Sequence, residues 1–128
     1  MILVSCAIIE NPEKLVLVTQ RSETMSLPLK WEFPGGKVEA NESYAETAVR
    51  EIKEELNIDI GVKTKLKEVM YHYPNFSITL IPFVCDYIQG EIILHEHYAF
   101  RWLSPNNLLD LDWAAADIPV VQQYLDTL

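Results

Sequence analysis

The chain predicts an α+β fold built on a mixed β-sheet, and three observations carry that expectation. Short β-rich runs open the sequence and return in its second half. A single long amphipathic segment, from Ser43 to Leu56, lies between them with helical spacing. No repeat, low-complexity run or linker divides the chain. With 128 residues, 49% of them apolar and 23% charged, residues 1–128 are expected to form one domain with a substantial core.

In order, Met1 to Ile9 and Lys14 to Thr19 read as strands, with Asn11 and Pro12 marking the turn between them. Lys30 to Phe33 is a short strand that leads into a turn at Pro34, Gly35 and Gly36. Ser43 followed by Glu46 is a capping box, so the helix is expected to begin there. Asn57 after Leu56 is a residue able to adopt the left-handed conformation that ends it. Ala45, Ala48, Val49, Ile52 and Leu56 form the apolar stripe of that helix, and Glu46 stands four residues before Arg50, the favourable order for an ion pair.

Beyond the helix, Val62 to Tyr73 and Phe76 to Tyr87 are two longer extended stretches split by Pro74 and Asn75, and they read as the central strands. Gln89 and Gly90 turn into a further strand at Glu91 to Leu94. Ala99 to Leu103 is another short strand. Ser104 with Pro105 opens a short helix, and Asp117 with Pro119 opens the last one, Val120 to Leu128. Cys6 and Cys85 lie inside apolar runs without metal-ligand spacing and are expected to be buried thiols.

The chemistry concentrates in the helix. At about 100° per residue, Glu54 and Glu55 fall within roughly 60° of Glu51, so three carboxylates share one wedge beside the apolar stripe. Two bare charges about 4 Å apart repel by about 4 kcal/mol at an effective dielectric near 20. Stability alone does not favour such a wedge, and a hard divalent cation would offset it.

These residues carry a resemblance. Gly36, five residues, Glu42, seven residues and then Arg50-Glu51-Ile52-Lys53-Glu54-Glu55-Leu56-Asn57-Ile58 is similar to the box of the Nudix hydrolases, departing only where Asn57 replaces the family's late glycine. WEFPGGK, Trp31 to Lys37, resembles the MutT-like subgroup, and the tail from His95 to Val121 is similar to small nucleotide-directed members. The resemblance selects a Nudix-type α/β/α sandwich from the α+β layouts. It also implies Mg2+-dependent hydrolysis of a nucleoside triphosphate to the monophosphate and pyrophosphate, with Mn2+ as an alternative ion.

By the same resemblance the metal ligands are Glu54, Glu55 and the carbonyl of Gly35. Glu51 is a further ligand or helps deprotonate the attacking water, Glu42 and Arg50 form a bracing ion pair, and Glu96 in HEHYAFRW stands where the subgroup has another catalytic, metal-side glutamate. His95 and His97 beside it are taken as bystanders, since imidazole suits zinc better than an all-oxygen magnesium site. Arg21 matches an arginine at the end of the second strand that meets the substrate. Asp117 stands where these enzymes carry a polar residue that reads the base edge, and its other role is the helix N-cap. Ionised, Asp117 only accepts hydrogen bonds.

Phe33 and Tyr73 are candidate stacking surfaces for a base, and Phe76 occupies the position of an arginine that MutT carries near the base. The favoured duty is clearance of oxidised nucleotides such as 8-oxo-dGTP. CTP, dCTP or a modified cytosine nucleotide is the alternative substrate, and a non-catalytic nucleotide-binding module is the alternative of another class.

A net charge of −9 argues against nucleic acid and against an anionic membrane surface. It also means that a polyanionic nucleotide needs metal ions, with Arg21 or Lys37 as helping cations. No segment approaches the length of a membrane span, and MILVSCAIIE reads as a first strand rather than a signal peptide, so a cytoplasmic protein is expected. Monomer and homodimer both stay open, with Met1 to Val4 as an apolar edge that could pair between chains.

Overall fold

A computed structural model describes residues 1–128. Its centre is a pair of parallel strands, β1 (Ile2–Glu10) and β7 (Ser77–Gln89), in register from Ile2 opposite Ile78 to Glu10 opposite Asp86. Every other ladder pairing is antiparallel, which makes the sheet mixed, as expected. β2 (Val16–Gln20) follows a turn in which Asn11 Oδ1 accepts the N–H groups of Glu13 and Leu15 and Lys14 takes a positive φ of 67°. β2 then meets β1 only at Val16 opposite Glu10 before leaving to pair with β3 (Trp31–Glu32) and β8 (Ala99–Leu103).

The freed length of β1 is taken by β4 (Gly35–Lys37), from Val4 opposite Lys37 to Cys6 opposite Gly35. Met1 to Val4 is thus covered by β7 from Ile2 on one side, and by β4 on the other only from Val4, with the Val38 N–H donating to Leu3 O. Gly35 and Gly36 likewise belong to a strand rather than the expected turn, and neither has a positive φ. Glycine is needed at Gly35 for space: a Cβ there would sit 2.0 Å from the carbonyl oxygen of Ser5.

Val62 to Tyr73 is two strands instead of one. β5 (Asp59–Lys65) and β6 (Val69–His72) pair with successive parts of the same edge of β7, and the chain between them is pinned by Leu66 N–H donating to Pro82 O. The expected strand at Glu91 to Leu94 is absent. Its backbone crosses the end of the helix, where Ile93 and His95 donate to the carbonyls of Leu56 and Glu55. Helix C-termini leave such carbonyls without partners, and this strap satisfies two of them.

Alternation along the central strands divides the core. Ala7, Ile9, Ile81, Phe83 and Cys85 face α1 (Tyr44–Leu56) and meet Ala48, Ile52 and Leu56. Cys6, Ile8, Leu80 and Val84 face the other way, toward Val120, Val121 and Tyr124 of α2 (Ile118–Asp126). Three layers result, the α/β/α arrangement that the resemblance implies. Both cysteines are free and buried, and burial pushes the Cys85 thiol up to about 12.

Ser43 caps α1 as the box predicts: its Oγ accepts the N–H of Glu46 at 3.1 Å, and Glu46 Oε1 accepts the N–H of Ser43 at 2.8 Å. Asn57 closes the helix at φ 64°. The apolar stripe is rotated from expectation, with Thr47 fully buried and Val49 39% exposed. Thr47 tolerates burial because its hydroxyl donates to Glu42 Oε1 at 2.6 Å. Glu46 is committed to the cap, so Arg50 pairs elsewhere.

Candidate active site

A cleft of about 670 Å³ opens where β2 and β4 part company along β1. One end is lined by Gly35, Gly36, Lys37, Glu55 and Glu96, the other by Phe33, Tyr73, Phe76 and Asp117, and Arg21 lies on the wall between. Eight of the twelve residues singled out from the sequence thus line one cavity, although they come from seven separate elements and loops. Glu42, Arg50, Glu51 and Glu54 complete the group of interest behind it, with Gly35 counted among the liners.

Arg50 organises the acidic wedge. Its Nε and NH2 grip the two carboxylate oxygens of Glu42 at 2.6 and 3.0 Å, NH1 donates to Glu51 at 2.8 Å and Glu54 at 3.2 Å, and NH2 also donates to the Lys37 carbonyl at 3.2 Å. Two of the three wedge carboxylates therefore already have a cationic partner, and mutual repulsion among them is weaker than helical spacing alone implies. Arg50 with Thr47 holds the Glu42 carboxyl down to about 2.

Glu55 is the one left over. Its side chain is 12% exposed, its Oε2 is buried without a hydrogen-bond partner, and burial followed by the adjacent Glu51 pushes its carboxyl up to about 9. Gly36 explains how Glu51 comes so close to β4, since a Cβ there would fall 2.1 Å from the Glu51 carboxyl carbon. Glu96 lines the same end of the cleft from an exposed loop position.

At the other end, Phe33 is 3% exposed and packs on Trp113, ring centroids 4.9 Å apart, so it backs the cleft as core. Tyr73 meets Tyr71 and Phe76 at tilted angles of 53° and 31°, and its hydroxyl accepts the N–H of Ala116 at 2.9 Å. Asp117 does not cap α2. Its Oδ2 instead accepts the Phe33 N–H at 3.0 Å, and no cap hydrogen bond forms. Burial, then Glu32, raises its carboxyl well above the usual range. A shift in that direction favours the protonated carboxyl, the form that can donate as well as accept.

Arg21 is no free cation. NH1 pairs with Glu32 at 2.8 Å, while Nε and NH2 donate to the carbonyl and hydroxyl of Ser26. Lys37, exposed at the Glu55 end of the cleft, has no ion pair.

A family model described as NUDIX domain matches residues 2–124. The chain belongs to the Nudix family. It is 35% identical over 125 residues to the CTP pyrophosphohydrolase of Escherichia coli K12, covering 98% of this chain and 92% of that protein. It is 30% identical to the 8-oxo-dGTP diphosphatase of the same organism, covering 92% of each. Among solved structures, MutT from methicillin-resistant Staphylococcus aureus 252 aligns at a TM-score of 0.78 with 42% identity, over 99% of this chain and 97% of the other. The protein is a MutT-like Nudix hydrolase, of a family acting on phosphoanhydride bonds and generally requiring a divalent metal.

The donor set of this Nudix hydrolase fits a hard cation, although no three His, Cys, Asp or Glu side chains are gathered as a ready cage. The buried, unpartnered Oε2 shows that Glu55 lacks a counter-charge, and Glu54, 59% exposed, is loosely held by Arg50 and able to turn. Sequence reasoning missed two residues of the site. Glu32 stood inside WEFPGGK with no role assigned. His97, taken as a bystander, is 8% exposed and lies against Glu32 at 2.9 Å. Nothing local in HEH separates His97 from His95: the segment bends rather than running as a strand, and the contact with Glu32 sets His97 apart.

Proposed function

We propose that this Nudix hydrolase converts nucleoside triphosphates to the monophosphate and pyrophosphate with Mg2+, Mn2+ being able to replace it, and that oxidised guanine nucleotides such as 8-oxo-dGTP are its substrates. The supporting observation is the single cleft joining the uncompensated Glu55 at one end to the buried Asp117 and the Tyr73 ring at the other, a span suited to polyphosphate and base together. Glu54, Glu55 and the Gly35 carbonyl would hold the cation, with Glu51 and Glu96 at hand as further carboxylates. When bound, the cation neutralises phosphate charge and makes water a better nucleophile near neutral pH.

The chain's own residues divide the remaining work. Arg50 braces Glu42, Glu51 and the end of β4 at the Lys37 carbonyl, Lys37 offers an ammonium to phosphate oxygens, and Tyr73 offers a ring face to the base. Asp117, anchored on the Phe33 N–H, turns its other oxygen to the base edge.

A cytosine nucleotide is the second reading. The CTP pyrophosphohydrolase relative aligns over nearly the whole chain, and by the resemblance Phe76 takes the place of an arginine near the base. A panel of canonical and oxidised nucleotides, assayed for pyrophosphate and for orthophosphate, tests both. Release of pyrophosphate from 8-oxo-dGTP above all others supports the first reading, preference for CTP or dCTP the second. Silence across the panel contradicts both and favours a non-catalytic module.

A further inference from the structure

His97 lies at the join between the two ends of the cleft. Its side chain is 2% exposed, Nε2 is 2.9 Å from Glu32 Oε2, and Nδ1 faces Glu55 Oε2 at 4.0 Å. Nδ1 and that glutamate oxygen are both buried, and neither has a hydrogen-bond partner. Two orphaned polar atoms facing one another across about 1 Å more than a hydrogen bond's length are the unfinished part of an otherwise satisfied site.

The ring has little freedom to turn elsewhere. Before it, the His95 N–H is tied to the Glu55 carbonyl at 3.2 Å; after it, the Tyr98 N–H is tied to Gln20 O at 2.9 Å, where β8 begins. Glu32 is fixed in turn, its Oε1 by Arg21 NH1 at 2.8 Å and its carbonyl by the Thr19 hydroxyl at 3.1 Å. A carboxylate that accepts from Nε2 sets which face of the imidazole looks at Glu55.

We propose that His97 is the positioning residue for Glu55. Held by Glu32, its Nδ1 takes a hydrogen bond with Glu55 Oε2 and so leaves the other carboxylate oxygen aimed at the metal end of the cleft. One proton between the two atoms makes that bond, whichever of them carries it. The inference rests on Glu55 being a metal ligand, and it adds a partner that acts through Glu55 without touching substrate.

The test uses the full chain with Mn2+ alone, monitored by electron paramagnetic resonance or calorimetry, beside thermal melts and steady-state kinetics. His97→Ala is expected to weaken Mn2+ binding about tenfold and to raise the metal concentration needed for half-maximal activity, with the nucleotide KM within about twofold of wild type. His97→Asn places its amide nitrogen near Nδ1 and is expected to restore most of the affinity. His97→Gln reaches Glu32 but not Glu55 and stays weak. Should His97→Ala fail to fold, the Asn and Gln variants decide between them. Equal Mn2+ affinity in wild type, Asn and Gln variants, with only the melting temperature changed, overturns the proposal and leaves the metal site standing. Absence of Mn2+ binding by wild type overturns both.

Discussion

Both carboxylate oxygens of Glu42 are held by the Arg50 guanidinium, at 2.6 and 3.0 Å, and the same guanidinium reaches Glu51. A planar fork makes this possible, and an ammonium cannot copy it. Arg50→Lys should therefore lower kcat about tenfold, lower the melting temperature and leave the overall fold intact. Circular dichroism melts and initial rates check this.

The same pair sets an acid limit. Glu42 titrates near 2 in the folded protein, below its ordinary value, so its contribution to stability is present above about 4.3 and is lost as pH falls toward 2. Glu42→Gln should flatten the fall in stability across that window. Denaturation midpoints measured between pH 5 and 2 should show a shallower slope for the variant than for wild type.

Glu55 behaves in the opposite sense. Burial and Glu51 raise its carboxyl to about 9, so its contribution is most favourable below about 4.3 and declines as pH climbs toward 9. In the presence of a chelator, Glu55→Gln should be more stable than wild type at pH 8, by on the order of 2 kcal/mol. The gap should narrow at pH 5. Urea titrations at the two pH values measure it.

Asp117→Asn preserves an oxygen for the Phe33 N–H and changes only what the opposite side of the group can offer a base. The variant should fold normally and shift the ratio of kcat/KM between purine and pyrimidine triphosphates about tenfold, the worth of roughly one hydrogen bond. Competition assays with paired nucleotides read that ratio directly.

Gly36→Ala places a methyl group where the Glu51 carboxyl now lies. Glu51 must move, so activity should fall further than stability. Comparing kcat with the melting temperature of the same variant separates the two effects.

The helix was legible from local chemistry: Ser43, Glu46 and Asn57 act within a few residues of one another, and all three do what their side chains favour. The pairing of β1 with β7 was not, because it joins positions 76 residues apart and no local pattern encodes it. The strap at Glu91 to Leu94 shows the same limit, since its alternation fits a strand equally well and only the carbonyls of Glu55 and Leu56 decide otherwise. In the site, the Glu42 to Arg50 pair could be expected from the resemblance. That Arg50 also neutralises Glu51 and Glu54, leaving Glu55 alone uncompensated, depends on side-chain reach that spacing does not reveal. Asp117 read equally well as a base-edge residue and as the helix cap, and the cap is ruled out only by its bond to Phe33, 84 residues away.

The most direct measurement is pyrophosphate release from the preferred nucleotide at saturating Mg2+ by wild type and by Glu55→Gln. The expected result is steady release by wild type and a loss of about a thousandfold in a variant that melts no lower than its parent. A Glu55→Gln enzyme that turns over within a few-fold of wild type would show that the uncompensated carboxylate is not where the chemistry is held.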